Sequence, residues 1–270
     1  MIAPKPDVEA LTGGYRGTPV LLIGRDVFID NWMIARALDE FDASGPAINA
    51  HGGLREAALY AWGERLFTPL LHAAQAAYQS EWDSDFLADR KRVFPDVDFD
   101  TLNVSDPDRR SQVRAYLGTV EAQLGLDRDF LGGAQADSCD IHVWGMVWMI
   151  HSALPALMPI VETFPRLTDW YERVSALGTG DREDVKMDVA WQSLKDGPAR
   201  PLPDTPDHEP LAPWVGEVVD IAAGSADRGS ASGRLLAVDN EQVVLGVEPI
   251  SGEAAQVWFP RFGYHLRQRG

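Results

Sequence analysis

Thr18-Pro19-Val20-Leu21-Leu22-Ile23-Gly24-Arg25-Asp26-Val27-Phe28-Ile29-Asp30-Asn31 decides how the rest of this 270-residue chain is read. A proline opens an apolar run, Gly24-Arg25 makes a two-residue turn, and a second apolar run ends at an acid-amide pair. Trp32-Met33-Ile34-Ala35-Arg36-Ala37-Leu38 follows with helical character, so Asp30 and Asn31 stand where a helix begins. The reading is strand, tight turn, strand, helix. A helix start presents unpaired backbone N–H groups and a partial positive charge, which favour a carboxylate ligand. Asparagine is also a good N-cap, so helix initiation alone accounts for Asn31 equally well.

Outward from this stretch, Asp42-Ala43-Ser44-Gly45-Pro46 reads as a linker. From Leu54 the apolar period becomes helical, with Ala57, Ala58, Ala61, Leu66, Leu70 and Leu71 continuing it to near Gln79. A second helix is expected over Pro107–Leu124, and a third begins near Asp137 and runs through Ile141, Trp144, Val147, Trp148, Ile150 and His151. The third is expected to be the most buried element. Residues 197 to 213, rich in Pro and Asp, read as a linker. Beyond them the period is that of short strands, over Val215–Ile221, Arg234–Val238, Val243–Val247 and Gln256–Phe259, with turns at Asp239-Asn240 and Ser251-Gly252. The fold class is α+β, mostly α. The units are residues 1–42, an all-α domain over 52–197, a linker over 198–213 and a small β barrel or sheet over 214–270. The aromatics of Trp258-Phe259-Pro260-Arg261-Phe262-Gly263-Tyr264 read chiefly as barrel packing, with a ligand-holding role for them and Arg261 as the lesser alternative.

A net charge of −17 repels nucleic acid and anionic membrane, so neither is an expected partner. The single cysteine, Cys139, excludes a disulfide within the chain and favours a reducing compartment. No apolar run approaches the ~20 residues that span a bilayer, and the N-terminus lacks the apolar core of a signal peptide, so the expected location is cytoplasmic. The sequence carries no G-x-S-x-G, H-E-x-x-H, phosphate-loop or C-x-x-C motif. Asp137, Asp140 and His142 read as helix capping rather than a metal site, and no metal is expected. His142 and His151 lie nine residues apart on one helix and face different directions. Cys139 reads as a small buried hydrophobe, with a reactive thiol as the lesser alternative.

Three segments, in order, resemble the glutathione S-transferase family. The first is the stretch from Thr18 to Asn31. The second is Phe130-Leu131-Gly132-Gly133-Ala134-Gln135-Ala136-Asp137-Ser138-Cys139-Asp140, similar to the family's loop and capping box on the central helix of its all-α domain. The third, Phe164-Pro165-Arg166-Leu167-Thr168-Asp169-Trp170-Tyr171-Glu172-Arg173-Val174, resembles the family's P-x-L-x-x-W-x-x-R-V helix, in which Arg173 is expected to pair with an acid. The resemblance implies a partial thioredoxin-like unit followed by an all-α domain, with the appended β domain a feature of some bacterial members. It implies glutathione as co-substrate, lying along Thr18 and a cis Pro19, with its γ-glutamyl end at Asp30 and Asn31. Asn31 replaces the family's serine. The electrophile would lie over the helix after Leu54, near Arg55, Trp62 or Trp144, and the protein would be a homodimer.

The family has a complete β-α-β unit before this proline, and the hydroxyl or thiol that activates glutathione lies in it. Here residues 1–8 resemble the loop after that unit, so Met1 is expected to fall partway through the domain. No catalytic residue is assigned; Tyr15 and Thr12 are the nearest hydroxyls and are not given that role. Two strands and one helix leave a marginal sheet with an open edge, which an upstream segment, a swapped segment, a partner or a rearranged N-terminal arm would cover. The expected function is conjugation of glutathione to a small electrophile. The alternative is a non-catalytic binding or scaffold protein of transferase fold.

Overall fold

A computed structural model describes residues 5–45, 47–49, 53–95, 97–103, 105–224, 228–248 and 254–269, apart from the side chains of residues 55, 56 and 64. In chain order the main elements are α1 (Pro6–Thr12), β1 (Val20–Ile23), β2 (Asp26–Ile29), α2 (Asn31–Phe41), α3 (Gly53–Tyr78), α4 (Ser84–Val93), α5 (Pro107–Leu124) and α6 (Ser138–Ala153). They continue with α7 (Met158–Val161), α8 (Pro165–Ser175), α9 (Met187–Asp196), β3 (Val218–Ala223), β4 (Ser230–Val238), β5 (Gln242–Val247), β6 (Ala255–Pro260) and β7 (Tyr264–Gln268). Two compact units result: Met1–Glu40 with Arg92–Phe94 and Glu183–Gly270, and Phe41–Lys91 with Pro95–Arg182.

The first unit is built on one seven-stranded sheet of order β1-β2-β6-β5-β4-β3-β7. The expected hairpin forms, with Val20 opposite Ile29 and Ile23 opposite Asp26. Gly24 has φ +59°, and a Cβ there would lie 2.4 Å from the Pro198 carbonyl oxygen, so both backbone sign and space call for glycine. The β strands near the C-terminus do not stand as a separate domain over 214–270. β6 pairs in parallel with β2, Val27 opposite Val257, and so covers the hairpin edge that the sequence left open. All four residues of β2 are buried because the strand is central and covered on both faces. Phe28 packs with Met33 and Ala37 of α2 and with Trp258, while Val27 and Ile29 pack with Leu11, Leu194, Val219 and Phe259.

Four further differences separate the fold from the sequence reading. Residues 6–12, expected as loop, form α1, because Pro6 suits a first helical turn and Gly13 closes the helix with φ +77°. Helix α9 belongs to the sheet unit rather than to an all-α domain ending at 197, since Leu194 is fully buried in the sheet's core. The Pro- and Asp-rich stretch after it is a pinned strap: Arg25 N donates to Pro198 O (3.0 Å), Arg200 N to Asp26 Oδ2 (2.8 Å) and Val238 N to Thr205 Oγ1 (3.0 Å). Strand β7 extends the sheet beyond the last expected strand, and the expected Ser251-Gly252 turn lies outside the described residues.

Asp26 is a buried carboxylate within this sheet. Its Oδ1 accepts from Trp258 Nε1 (2.8 Å), and the Arg200 guanidinium lies 4.6 Å from the Trp258 ring. Burial raises its pKa against the opposing pull of the Arg200 and Trp258 hydrogen bonds.

The second unit is helical, with a core of Leu66, Leu70, Val113, Leu117, Val147, Ile150, Leu167 and Trp170 among others. The expected capping box is present at α6: the Asp137 side chain accepts from Cys139 N (2.9 Å) and Asp140 N (3.3 Å), and Asp140 Oδ2 accepts from Asp137 N (3.2 Å). Asp140 does more than cap. Its Oδ1 also accepts from Leu131 N (2.8 Å) and from Trp170 Nε1 (2.7 Å), tying the preceding loop and α8 to the start of α6. The carboxyl is fully buried, and burial raises its pKa despite those bonds. Arg173 pairs with the Asp129 backbone carbonyl (3.2 and 3.0 Å) instead of an acid side chain.

Candidate functional site

The hairpin register brings the four residues singled out from the sequence to one end of the sheet unit. Val20 opposes Ile29 at the end of the hairpin, so Thr18 and Pro19 lead into the pair from one strand and Asp30 and Asn31 leave it from the other. The Thr18-Pro19 peptide is cis, and both residues are exposed. The Lys5 ammonium reaches this turn, donating to Arg16 O (3.0 Å) and lying 3.5 Å from Thr18 Oγ1.

Asp30 takes the left-handed conformation, φ +77°, at the junction of β2 and α2. A non-glycine residue held there is strained, and such positions occur where the surrounding structure over-determines them. Its side chain is the N-cap: Oδ1 accepts from Trp32 N (3.0 Å), and its carbonyl accepts from Ile34 N (2.9 Å). Asn31, which the sequence offered as an alternative cap, is instead the exposed first residue of α2. Asp30 Oδ2 accepts from the Tyr264 hydroxyl (3.2 Å), which lies 3.4 Å from the Tyr15 hydroxyl.

Tyr15 and Tyr264 are buried, and the Arg228 side chain lies close enough to both to interact with them electrostatically. Burial, with the Asp30 carboxylate and Tyr15 close by, holds the Tyr264 hydroxyl protonated far above the usual phenol range. Tyr264 is therefore a fixed donor, not a base. Burial opposes the charge on Arg228, but Tyr15, Tyr264 and Asp30 outweigh it and raise its pKa. This group of Tyr15, Tyr264, Asp30 and Arg228 was not found from the sequence. The alternation in Tyr264-His265-Leu266-Arg267-Gln268 is the signal for the strand that delivers Tyr264, yet nothing local indicates its pairing with Asp30.

Thr12 and Tyr15 are structural hydroxyls. The Thr12 hydroxyl is fully buried within hydrogen-bond distance of Val8 O (2.7 Å) and the Tyr15 carbonyl. In the helical unit Trp62 is half-buried, its ring 5.8 Å from that of Tyr116. Trp144 donates to Ser175 Oγ (2.8 Å) and stacks on Tyr171 and Trp148. Arg55 lies on α3, and its side chain is outside the described residues. His142 stacks on Tyr60 and His151 on Tyr171, so the two histidines have separate partners. Among the described residues no group of three His, Cys, Asp or Glu side chains has metal-binding geometry. No single helix among them is long and apolar enough to cross a membrane.

Residues 34–173 match the family model described as glutathione S-transferase, C-terminal domain. Among solved structures, a GST-like protein from Pseudomonas syringae is 31% identical with a TM-score of 0.77, over 99% of this chain and 87% of that one. A glutathione S-transferase of Ceriporiopsis subvermispora, solved in complex with glutathione, is 23% identical with a TM-score of 0.47, over 59% of this chain and 70% of that one. No curated protein sequence matches the chain.

Proposed function

This chain belongs to the glutathione S-transferase family, and from that membership we propose that it binds glutathione along Thr18 and Pro19, with the γ-glutamyl carboxylate at Asp30 and Asn31. The observation that supports this most is that exposed Thr18 and Pro19 lie at the same end of the hairpin as the start of α2. At that turn, backbone N–H groups and the helix dipole favour an anion. Asp30, held by Trp32 N and Tyr264, is oriented for the ligand's ammonium group.

The reaction in this proposal is attack of the glutathione thiolate on a small electrophilic carbon. With a chloronitrobenzene, a C–S bond forms, chloride leaves with the bonding pair, and the thiol proton passes to solvent. Arg55, Trp62 and Trp144 are the side chains proposed to meet the electrophile. The thiol-activating group is not assigned, and Tyr264, held protonated, does not supply a base. A homodimer in the cytoplasm is part of the same proposal. Its structural support is β1, which pairs only with β2 among the described residues and so presents an outer edge.

A second reading, a transferase-fold protein that binds without turnover, is favoured by one observation: both Asp30 carboxylate oxygens already accept hydrogen bonds. Glutathione binding by calorimetry, run beside chloride release from a chloronitrobenzene, separates the readings. Binding with turnover supports the enzyme, binding alone supports the second reading, and no binding overturns the glutathione site.

A further inference from the structure

The helical unit contains a cavity of about 150 Å³ between α3, α5 and α6. Its walls are Leu59, Trp62, Val120, Leu131, Val143 and Cys139. Two polar side chains also reach it, and both are engaged elsewhere: Thr119 Oγ1 donates to Ala115 O (3.1 Å) and Gln123 Nε2 to Leu131 O (2.9 Å). The Cys139 backbone N–H is likewise taken by Asp137 Oδ1, and its thiol is only a weak hydrogen-bonding group. The cavity's mouth is open to solvent at Thr119, while the wall inside is mostly apolar, a lining and volume that suit a benzene-sized molecule.

We infer that this cavity is a binding site for one small, neutral, apolar or aromatic molecule of benzene size, seated against Cys139 and Trp62. Thr119 is exposed and Leu59 and Trp62 are half-buried, so the approach runs past these three side chains. The site lies wholly within the helical unit; it shares Trp62 with the contacts proposed for the electrophile, and none of the residues proposed to hold glutathione lines it. A charged ligand is disfavoured, since no oppositely charged side chain lines the pocket.

The test is titration of the full chain with benzene, followed by calorimetry and by the unfolding midpoint. The chain has one cysteine, so methyl methanethiosulfonate serves as a second probe of the same cavity. The Cys139 sulfur attacks the reagent's sulfenyl sulfur, a disulfide forms, methanesulfinate leaves with the electron pair, and the thiol proton passes to buffer. Expected are saturable benzene binding, none with benzoate, and labelling of Cys139 slowed at least tenfold by saturating benzene. Cys139→Leu, which fills the space, should weaken benzene at least tenfold, while Cys139→Ala should retain it. If circular dichroism shows Cys139→Leu to be unfolded, Val120→Met takes its place as the filling variant. Absence of saturable binding up to the solubility of benzene, or equal binding in the filled and parent proteins, overturns the inference.

Discussion

Replacing Asp140 separates the two jobs this carboxylate performs, because its oxygens are divided between them. Oδ1 serves Leu131 N and Trp170 Nε1, and Oδ2 serves Asp137 N. Asp140→Ala leaves three buried donors without an acceptor, at about 1–2 kcal/mol each, so the helical unit should lose roughly 3–6 kcal/mol. Asp140→Asn keeps the oxygen that serves Leu131 and Trp170 and turns an NH₂ toward the Asp137 N–H, so one donor is lost, about 1–3 kcal/mol. The expected order is therefore parent, Asn, Ala, with the larger step at Ala. Urea unfolding followed by the far-ultraviolet helix signal measures it. The pH dependence supplies a second axis. Asp140's pKa is raised above 3.8 by burial, so between that value and its folded value the native chain holds a proton that the unfolded chain releases. Its contribution is full below 3.8 and is lost as pH rises through the folded pKa, and Asp140→Asn removes this part of the slope. An alanine variant within about 1 kcal/mol of the parent, or an asparagine variant as unstable as alanine, would refute the hydrogen-bond reasoning.

Asp26→Ala strands Trp258 Nε1 and Arg200 N, so a loss of about 2–4 kcal/mol is expected in urea unfolding, with tryptophan fluorescence reporting the altered Trp258 site. Tyr264→Phe removes the donor to Asp30 and should cost about 1 kcal/mol at neutral pH. Because the Tyr264 pKa is raised, its contribution is full below the ordinary phenol range and falls at higher pH, so the parent's lead over the variant should narrow in alkaline urea titrations. Asn31→Glu places an acid in the first turn of α2 and should leave stability unchanged or raise it by about 0.3–1 kcal/mol, read from the unfolding midpoint.

What the sequence made legible was local. Gly24-Arg25 announced its hairpin, and Asp137 and Asp140 announced their capping box, because in each case the deciding residues lie within a few positions of one another. Thr18, Pro19, Asp30 and Asn31 could be grouped for the same reason: they flank one end of a single short hairpin. What was missed is carried by long-range pairing. β6 joins β2 across more than two hundred residues, and no pattern in either strand names its partner, so the C-terminal strands read as a separate domain. The Pro- and Asp-rich stretch carries the composition of a linker, and its bonds to Arg25, Asp26 and Val238, far away in sequence, make it part of the sheet unit. Tyr264 meets Asp30 through the same long-range closure. The segment from Pro6 to Thr12 differs, since its Pro6 start and Gly13 stop were local signals of a short helix.

The central claim, that the first turn of α2 beside the cis Thr18-Pro19 pair receives a carboxylate of glutathione, is tested most directly by calorimetric titration of glutathione into the parent and into Asn31→Glu. The added acid suits the helix start but repels an anion arriving there, by about 1.4 kcal/mol or more at partly exposed separations of a few ångström. The account predicts saturable binding to the parent and at least tenfold weaker binding to a variant whose unfolding midpoint is not lowered. No binding to the parent, or equal affinity in the two proteins, would contradict it.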